Sequence, residues 1–257
     1  MTLNFIHKLK FLFNSRKTFK NWYIFPIVYF NLKKTEYSIF QTFDNIKLKI
    51  RNNSTDLMAL TNVWIVREYE NEKIHIKKND VIIDVGAHIG LFSLFISQFC
   101  KNGKIFSYEP ISENFNLLKS NIALNKCKNI FPFKFAISDK SSKIKIFLND
   151  DQSGHSIMSD SGPCVLIDSI LLKEIFDTNK ITKCNLLKLD CEGAEYGIIN
   201  SLPKEYFEKI EKIMIEYHFA DSKPELWHNL VQKIREMGFK ISLKPHFNDM
   251  GFLIAIK

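Results

Sequence analysis

The sequence predicts an α/β fold, a doubly wound and mostly parallel sheet that closes on an antiparallel hairpin. Three observations predict it. From Val81 onward, short apolar runs alternate with glycine-containing turns and helical stretches, the rhythm of βαβ units. The last two apolar runs are joined by a turn too short for a crossover, so these strands must be antiparallel to each other. The chain has 257 residues, 46% of them hydrophobic, enough to cover both faces of such a sheet.

The elements follow in order. Residues 1–75 read as an accessory segment rather than a separate domain. Ser38 to Phe43 and Ile46 to Arg51 alternate on either side of Asp44 and Asn45, which predicts a hairpin. Leu57, Leu60, Val63, Trp64 and Val66 recur near helical spacing, so a helix is expected over 55–69 with Ser54 or Thr55 as its N-cap. In the main domain, 76–257, strands are expected at 81–85, 104–109, 130–136, 185–190 and 211–217. Helices fall between them at 89–100, 112–125, 168–177 and 194–200, with Ser112 capping the second. Residues 143–167 form an insertion, alternating from Lys143 to Leu148 and turning at Gly154 and Gly162. A helix at 224–237, a strand at 238–243, a turn near Asn248 and Asp249, and a strand at 251–256 complete the chain.

Charge is unevenly spread. The net charge is +8, and residues 1–50 carry +7 of it beside Phe5, Phe11, Phe13, Phe19, Trp22, Tyr23 and Phe25. That segment is expected to recognise the acceptor, to touch a membrane surface or a second copy in a homodimer, or simply to pack on the sheet. Only four residues of the chain are Arg, few for gripping phosphates or base edges, so no nucleic-acid partner is expected. The five cysteines show no C-x-x-C spacing and read as reduced thiols. The longest apolar run near the N-terminus, Trp22 to Phe30, contains Pro26 and is far short of the ~20 residues that span a bilayer. No signal-peptide pattern accompanies it, and a cytoplasmic location is expected.

The chemistry concentrates where strands end. Val81 to Gly90 runs from a buried strand through Asp84, Gly86 and His88 into a helix, a turn whose free N–H groups can approach a ligand. The dinucleotide fingerprint G-x-G-x-x-G would need glycines at 86, 88 and 91, and positions 88 and 91 are His and Leu. A smaller nucleoside is favoured over a pyrophosphate. Glu109 ends the second strand at the position suited to accept hydrogen bonds from both ribose hydroxyls. Ser138 and Asp139 end the third, where an adenine amino group could be met. The fourth strand ends in Asp190, Cys191 and Glu192, and the fifth in Glu216, Tyr217 and His218. Period two puts Asp190 with Glu192, and Glu216 with His218, on common faces. Such carboxylates are costly to bury unless paired or working. They suit a general base, and Asp190, Glu216 and His218 equally suit a divalent metal ion.

Taken together, Asp84-Val-Gly-Ala-His-Ile-Gly90, Tyr108-Glu-Pro110, Ala136-Ile-Ser-Asp139, Leu166-Ile-Asp168, Leu187-Lys-Leu-Asp-Cys-Glu-Gly-Ala-Glu195 and Ile215-Glu-Tyr-His218 resemble the FkbM-type S-adenosylmethionine-dependent methyltransferases. The resemblance covers about 80 to 257. It implies a Rossmann-like class I methyltransferase fold with a seven-stranded sheet. It also implies methyl transfer to a hydroxyl of a sugar, free, nucleotide-linked or in a polysaccharide precursor, or of a secondary metabolite. Asp84, Gly86, His88 and Gly90 would then shape the methionine end of the cofactor site, Glu109 would hold the ribose, and Ser138 and Asp139 would lie near adenine. Asp190, Glu192, Glu216 and His218 would face the transferring methyl. His88 stands where a middle glycine is usual. A non-catalytic cofactor-binding protein is the competing reading, and the intact ionisable cluster speaks against it. His218, with a reference pKa of about 6.5, is the first choice of base. Ser153, His155 and Ser156, in an insertion long enough to fold over the cleft, are the expected acceptor contacts.

Overall fold

The computed structural model describes residues 5–147, 163–247 and 249–257. The chain opens with α1 (Phe5–Thr18) and α2 (Ile24–Tyr29), then a hairpin of β1 (Tyr37–Gln41) and β2 (Lys47–Arg51). The hairpin is antiparallel as expected, and Asn45 takes the left-handed conformation its turn requires. The helix expected over 55–69 is shorter and irregular: α3 (Asp56–Leu60) passes into a π turn at Thr61–Val66. Arg67, at φ 57°, ends it, so Glu68 and Tyr69 leave the helix axis.

The main sheet is built from β3 (Val81–Val85), β4 (Lys104–Tyr108) and β5 (Ile130–Phe133), with α4 (Leu91–Ser97) and α5 (Ser112–Leu124) between them. A side sheet follows, made of β6 (Ala136–Ser138), β7 (Lys143–Phe147) and β8 (Cys164–Leu171), and then α6 (Leu172–Thr178). The chain returns through β9 (Leu186–Leu189), α7 (Glu195–Ser201), α8 (Lys204–Glu208), β10 (Lys212–Tyr217), α9 (Pro224–Glu236), β11 (Lys240–Phe247) and β12 (Met250–Ile256). The seven strands lie in the order β11-β12-β10-β9-β3-β4-β5. Pairs from β10 to β5 are parallel, and β12 is antiparallel to both neighbours.

Both faces of this sheet are covered, which explains why its strands read as continuous apolar runs. Successive residues go to opposite layers. Ile83, Leu187, Ile213 and Leu253 pack under α7 and α9, while Ile82, Leu186, Met214 and Phe252 pack with α4. The second layer is completed by Phe19, Phe25, Phe40, Leu48, Ile50 and Trp64 from the N-terminal segment. Asn121 on α5 and Asn125 just after it hydrogen-bond to the backbone of Lys49 and Lys47, fastening the edge of the hairpin to the domain.

Several expectations are corrected. The strand expected over 130–136 stops at Phe133, and Ala136 begins the side sheet. The helix expected from 168 begins at Leu172, because residues 168–171 extend β8 alongside β6 and Ser169 bonds to Lys140 and Ser142. Glu174 accepts the Leu171 N–H and fixes that start. Ser112 is the first residue of α5 rather than its cap, and Glu109 accepts the N–H of the preceding Ile111 instead. α8 was not anticipated. Among the described residues no helix is long and apolar enough to cross a membrane. The cysteines are free thiols, Cys100 and Cys184 buried and Cys164 exposed.

Candidate active site

The loops at the carboxyl ends of β3, β4, β9 and β10, with residues 55–69, enclose a cavity of about 560 Å³. One end is formed by the β3–α4 turn. Gly86, His88 and Gly90 all have positive φ, of 74°, 50° and 86°, so His88 holds the conformation that a glycine would usually supply. The glycines answer to neighbouring protein rather than to a ligand. A Cβ on Gly86 would stand 1.7 Å from the Asp190 carbonyl oxygen, and one on Gly90 2.4 Å from Leu118 Cδ1. Opposite, Glu109 accepts the His88 N–H on Oε2 (2.8 Å) and the Ile111 N–H on Oε1 (2.9 Å). Burial pushes its carboxyl up to about 7, against the pull of those hydrogen bonds. Arg51, from the N-terminal hairpin, stands behind this end. Its guanidinium forks onto Asp56 and donates to Asn114 Oδ1 at 2.8 Å, 3.4 Å from His88 Nε2.

The other end is ionisable. Lys188, buried in the middle of β9, lies 3.1 Å from Asp84 and 3.3 Å from Asp190. Burial alone would lower its pKa, but the two carboxylates hold it above the ordinary lysine range. Tyr69 reaches in from the N-terminal segment, its hydroxyl 3.1 Å from both Asp190 Oδ2 and Glu216 Oε2. Burial and then the neighbouring acids push Glu216 up to about 8 and Glu68 to about 7. His218 sits between two carboxylates, with Nδ1 3.4 Å from Glu195 and Nε2 3.4 Å from Glu192. Glu195 is fully buried and is fixed by the N–H groups of Gly193 and His218.

That geometry corrects the expectation that His218 titrates near neutrality. Burial would lower its pKa, yet the hydrogen bond with Glu195 and the charges of Glu192, Glu195 and Asp190 raise it to about 10. The candidate metal trio changes as well. Asp190, Glu192 and His218 each offer one ligand atom within 4.8 Å of the others. Glu192 takes the place expected for Glu216, which faces Tyr69.

Of the residues expected from sequence, Gly86, His88, Glu109, Asp190, Glu192, Glu216 and His218 line this one cavity. Asp84, Gly90, Ser138 and Asp139 are not among its lining residues. Asp84 is the buried counter-ion of Lys188 and accepts from Ser93. Ser138 Oγ bonds the Lys140 backbone, and Asp139 packs against Gly197 of α7. The wall expected from Ser138 and Asp139 is made by Phe135, Ala136 and Ile137, joined by Ile144 and Ile146 of the insertion. Ser153, His155 and Ser156 lie outside the described residues. Sequence reasoning missed Tyr69, Glu68 and Lys188, and gave Glu195 no role in the site. A lone cation inside the apolar run Leu186 to Leu189 is the signal that would have found Lys188.

Comparison with known proteins places this geometry. The model of the FkbM methyltransferase domain matches residues 84–241, more than half of the chain. Methyltransferase sdnD of Sordaria araneosa is 23% identical over 175 residues, covering 55% of this chain and 68% of that protein. The hexuronic acid methyltransferase AglP of Haloferax volcanii is 20% identical over 169 residues, covering 63% of this chain and 69% of that protein. In fold, the crystal structure of the FkbM methyltransferase from Methylobacillus flagellatus superposes with a TM-score of 0.53 at 18% identity. That match covers 78% of this chain and 53% of the other, so the chain spans about half the length of that protein. The strand order, the cavity at the carboxyl ends of the strands and the match from Asp84 onward agree: this chain belongs to the FkbM methyltransferase domain family.

Proposed function

We propose that the chain is an S-adenosylmethionine-dependent O-methyltransferase whose acceptor is a sugar hydroxyl. One observation carries the reading: a single cavity is lined by Glu109 at the end of β4 and by the ionisable cluster Asp190, Glu192, Glu216 and His218 at the ends of β9 and β10. The residues fit the cofactor. Glu109 Oε2 accepts one backbone N–H, and Oε1 accepts one backbone N–H and a longer bond (3.5 Å) from Asn114 Nδ2, which leaves acceptor capacity on Oε2 for a ribose hydroxyl. When bound, S-adenosylmethionine supplies a methyl group already activated by the positive sulfur.

A sugar hydroxyl is a poor nucleophile until its proton is removed, so the chain must align it and take that proton. His218, held as imidazolium between Glu192 and Glu195, is poorly placed to do so. Asp190 and Glu192 are the proton acceptors in this reading, and His218 fixes Glu192. Tyr69 carries one hydroxyl proton between two carboxylates. A proton on Glu216 donated to Tyr69 Oη, with Tyr69 donating to Asp190 Oδ2, satisfies all three groups. The row of oxygen acceptors suits a polyol, and the name of the Haloferax relative supports a carbohydrate. Met58, Val63, Ile146 and Met250 on the opposite walls favour a second reading, a hydroxyl on an apolar secondary metabolite.

The test is to incubate the protein with S-adenosylmethionine and panels of nucleotide-sugars, free glycosides and apolar alcohols, following S-adenosylhomocysteine release and acceptor mass. A methylated carbohydrate is expected, with and without chelator. Product only from apolar alcohols supports the second reading. Loss of activity on chelation with recovery on adding a divalent ion assigns Asp190, Glu192 and His218 to a metal.

A further inference from the structure

The N-terminal helices carry apolar surface that the domain does not use. Phe19, Phe25 and Val28 enter the core, yet Phe13, Tyr23, Phe30 and Leu32 are 58%, 58%, 59% and 69% exposed, with Trp22 and Ile27 also exposed. Tyr23, Ile27 and Phe30 recur at the i, i+4, i+7 spacing of one helical side, away from the buried Phe25 and Val28. On α1 the exposed Phe13, Arg16 and Lys17 share a side as well. Lys17 Nζ lies 5.1 Å from the Phe13 ring centroid, and the Arg16 guanidinium lies 4.9 Å over the Trp22 ring, which joins the two exposed sides into one surface.

Its charge is of one sign. The first acidic residue of the sequence is Glu36, so the stretch that holds the seven basic residues before it (Lys8, Lys10, Arg16, Lys17, Lys20, Lys33 and Lys34) contains no acid. Solvated basic runs are common, but they seldom alternate with exposed Trp, Tyr, Phe and Leu, and a contiguous exposed apolar patch marks an interaction surface. Aromatic rings with basic side chains are the composition of surfaces that sit at the headgroup level of a bilayer, rings at the acyl boundary and cations on lipid phosphates.

We infer that this face of α1 and α2 docks the protein on an anionic lipid surface. A second copy is a poorer occupant, because a two-fold contact would press each copy's basic residues against the same residues of the other. Nucleic acid is poorer too, since Ile27, Phe30 and Leu32 offer nothing to phosphates. Each basic residue near an anionic bilayer adds about fivefold to partitioning. The inference does not depend on the acceptor or on the proposed reaction.

The full chain is to be sedimented with vesicles of phosphatidylglycerol and phosphatidylcholine, with vesicles of phosphatidylcholine alone, and without lipid. Pelleting with the anionic vesicles, weakened by salt, and its absence with the neutral ones are expected. The variant Tyr23→Ser/Ile27→Ser/Phe30→Ser changes only exposed or loosely held side chains and should lose at least tenfold in partitioning, as should Arg16→Gln/Lys17→Gln/Lys34→Gln. The wild-type response to lipid charge and salt decides the matter even where a variant folds poorly. Failure of the wild type to pellet with anionic vesicles overturns the inference. So does binding of both variants equal to that of the wild type, or self-association of the wild type that the serine variant abolishes without any lipid binding.

Discussion

Glu109 is where sequence, geometry and chemistry converge on one side chain. The end of β4, the N–H groups of His88 and Ile111, the Asn114 side chain and burial fix this carboxylate in the cavity lining. In Glu109→Gln, an acceptor oxygen becomes a donor and the charge is lost. S-adenosylmethionine binding is expected to weaken about 10- to 100-fold, the range for a charge-assisted hydrogen bond, as read by calorimetry. Unchanged affinity removes Glu109 from the cofactor site. Tyr69 is the opposite case, since no motif surrounds it and it lies outside the family match at 84–241. Its partners are 121 and 147 residues away in sequence, so only the fold reveals it. Tyr69→Phe should lower turnover about 10- to 100-fold by leaving Asp190 and Glu216 facing each other, with cofactor affinity changed by no more than about twofold. Equal turnover in single-turnover assays would show that the hydroxyl is only packing. The pKa of His218 was illegible for the same reason: the residue that raises it, Glu195, sits 23 positions away on another element.

Elements were legible where local pattern and tertiary demand agree. β3, β4, β9 and β10 are apolar runs bounded by turns, and their limits fall within two residues of expectation. Expectation failed where partners decide. Residues 168–171 continue a strand because β6 and β7 flank them, and the helix from Asp56 loosens into a π turn that brings Asn62 and Val63 to the cavity wall. The hairpin illustrates what an element needs beyond its own turn. Asn121, fully buried on α5, accepts the Lys49 N–H and donates to the carbonyls of Lys49 and Ile89. Asn121→Ala strands buried backbone groups and should destabilise the protein by about 2–4 kcal/mol. Asn125→Ala, at a half-buried position with similar bonds that water can replace, should cost less than about 1 kcal/mol. Equal denaturant midpoints for the two variants would contradict this view of how the N-terminal segment is fastened.

At the scale of the whole molecule, the price of the site is a set of buried and half-buried acids. Glu68, Glu109 and Glu216 are raised from 4.5 to about 7, 7 and 8, mainly by burial. A group raised on folding contributes stability that is fully present below its unfolded value and is lost as pH rises through its folded value. For these three the loss runs from about pH 4.5 to about pH 8. His218, raised from 6.5 to about 10, has the same sign, losing its contribution between those values. Thermal stability of the cofactor-free protein should therefore fall steadily from about pH 5 to about pH 9, with Glu109 alone worth about 3 kcal/mol. A melting temperature that is flat or rises over that range contradicts the burial of ionised acids described above. The central claim, that the cavity is a methyl-donor site, meets its most direct test in a thermal-shift comparison of S-adenosylmethionine, S-adenosylhomocysteine and NAD at neutral pH. The first two should each raise stability by about 2.7 kcal/mol at 100 times their dissociation constants, while NAD leaves it unchanged. Stabilisation by NAD, or by none of the three, would contradict it.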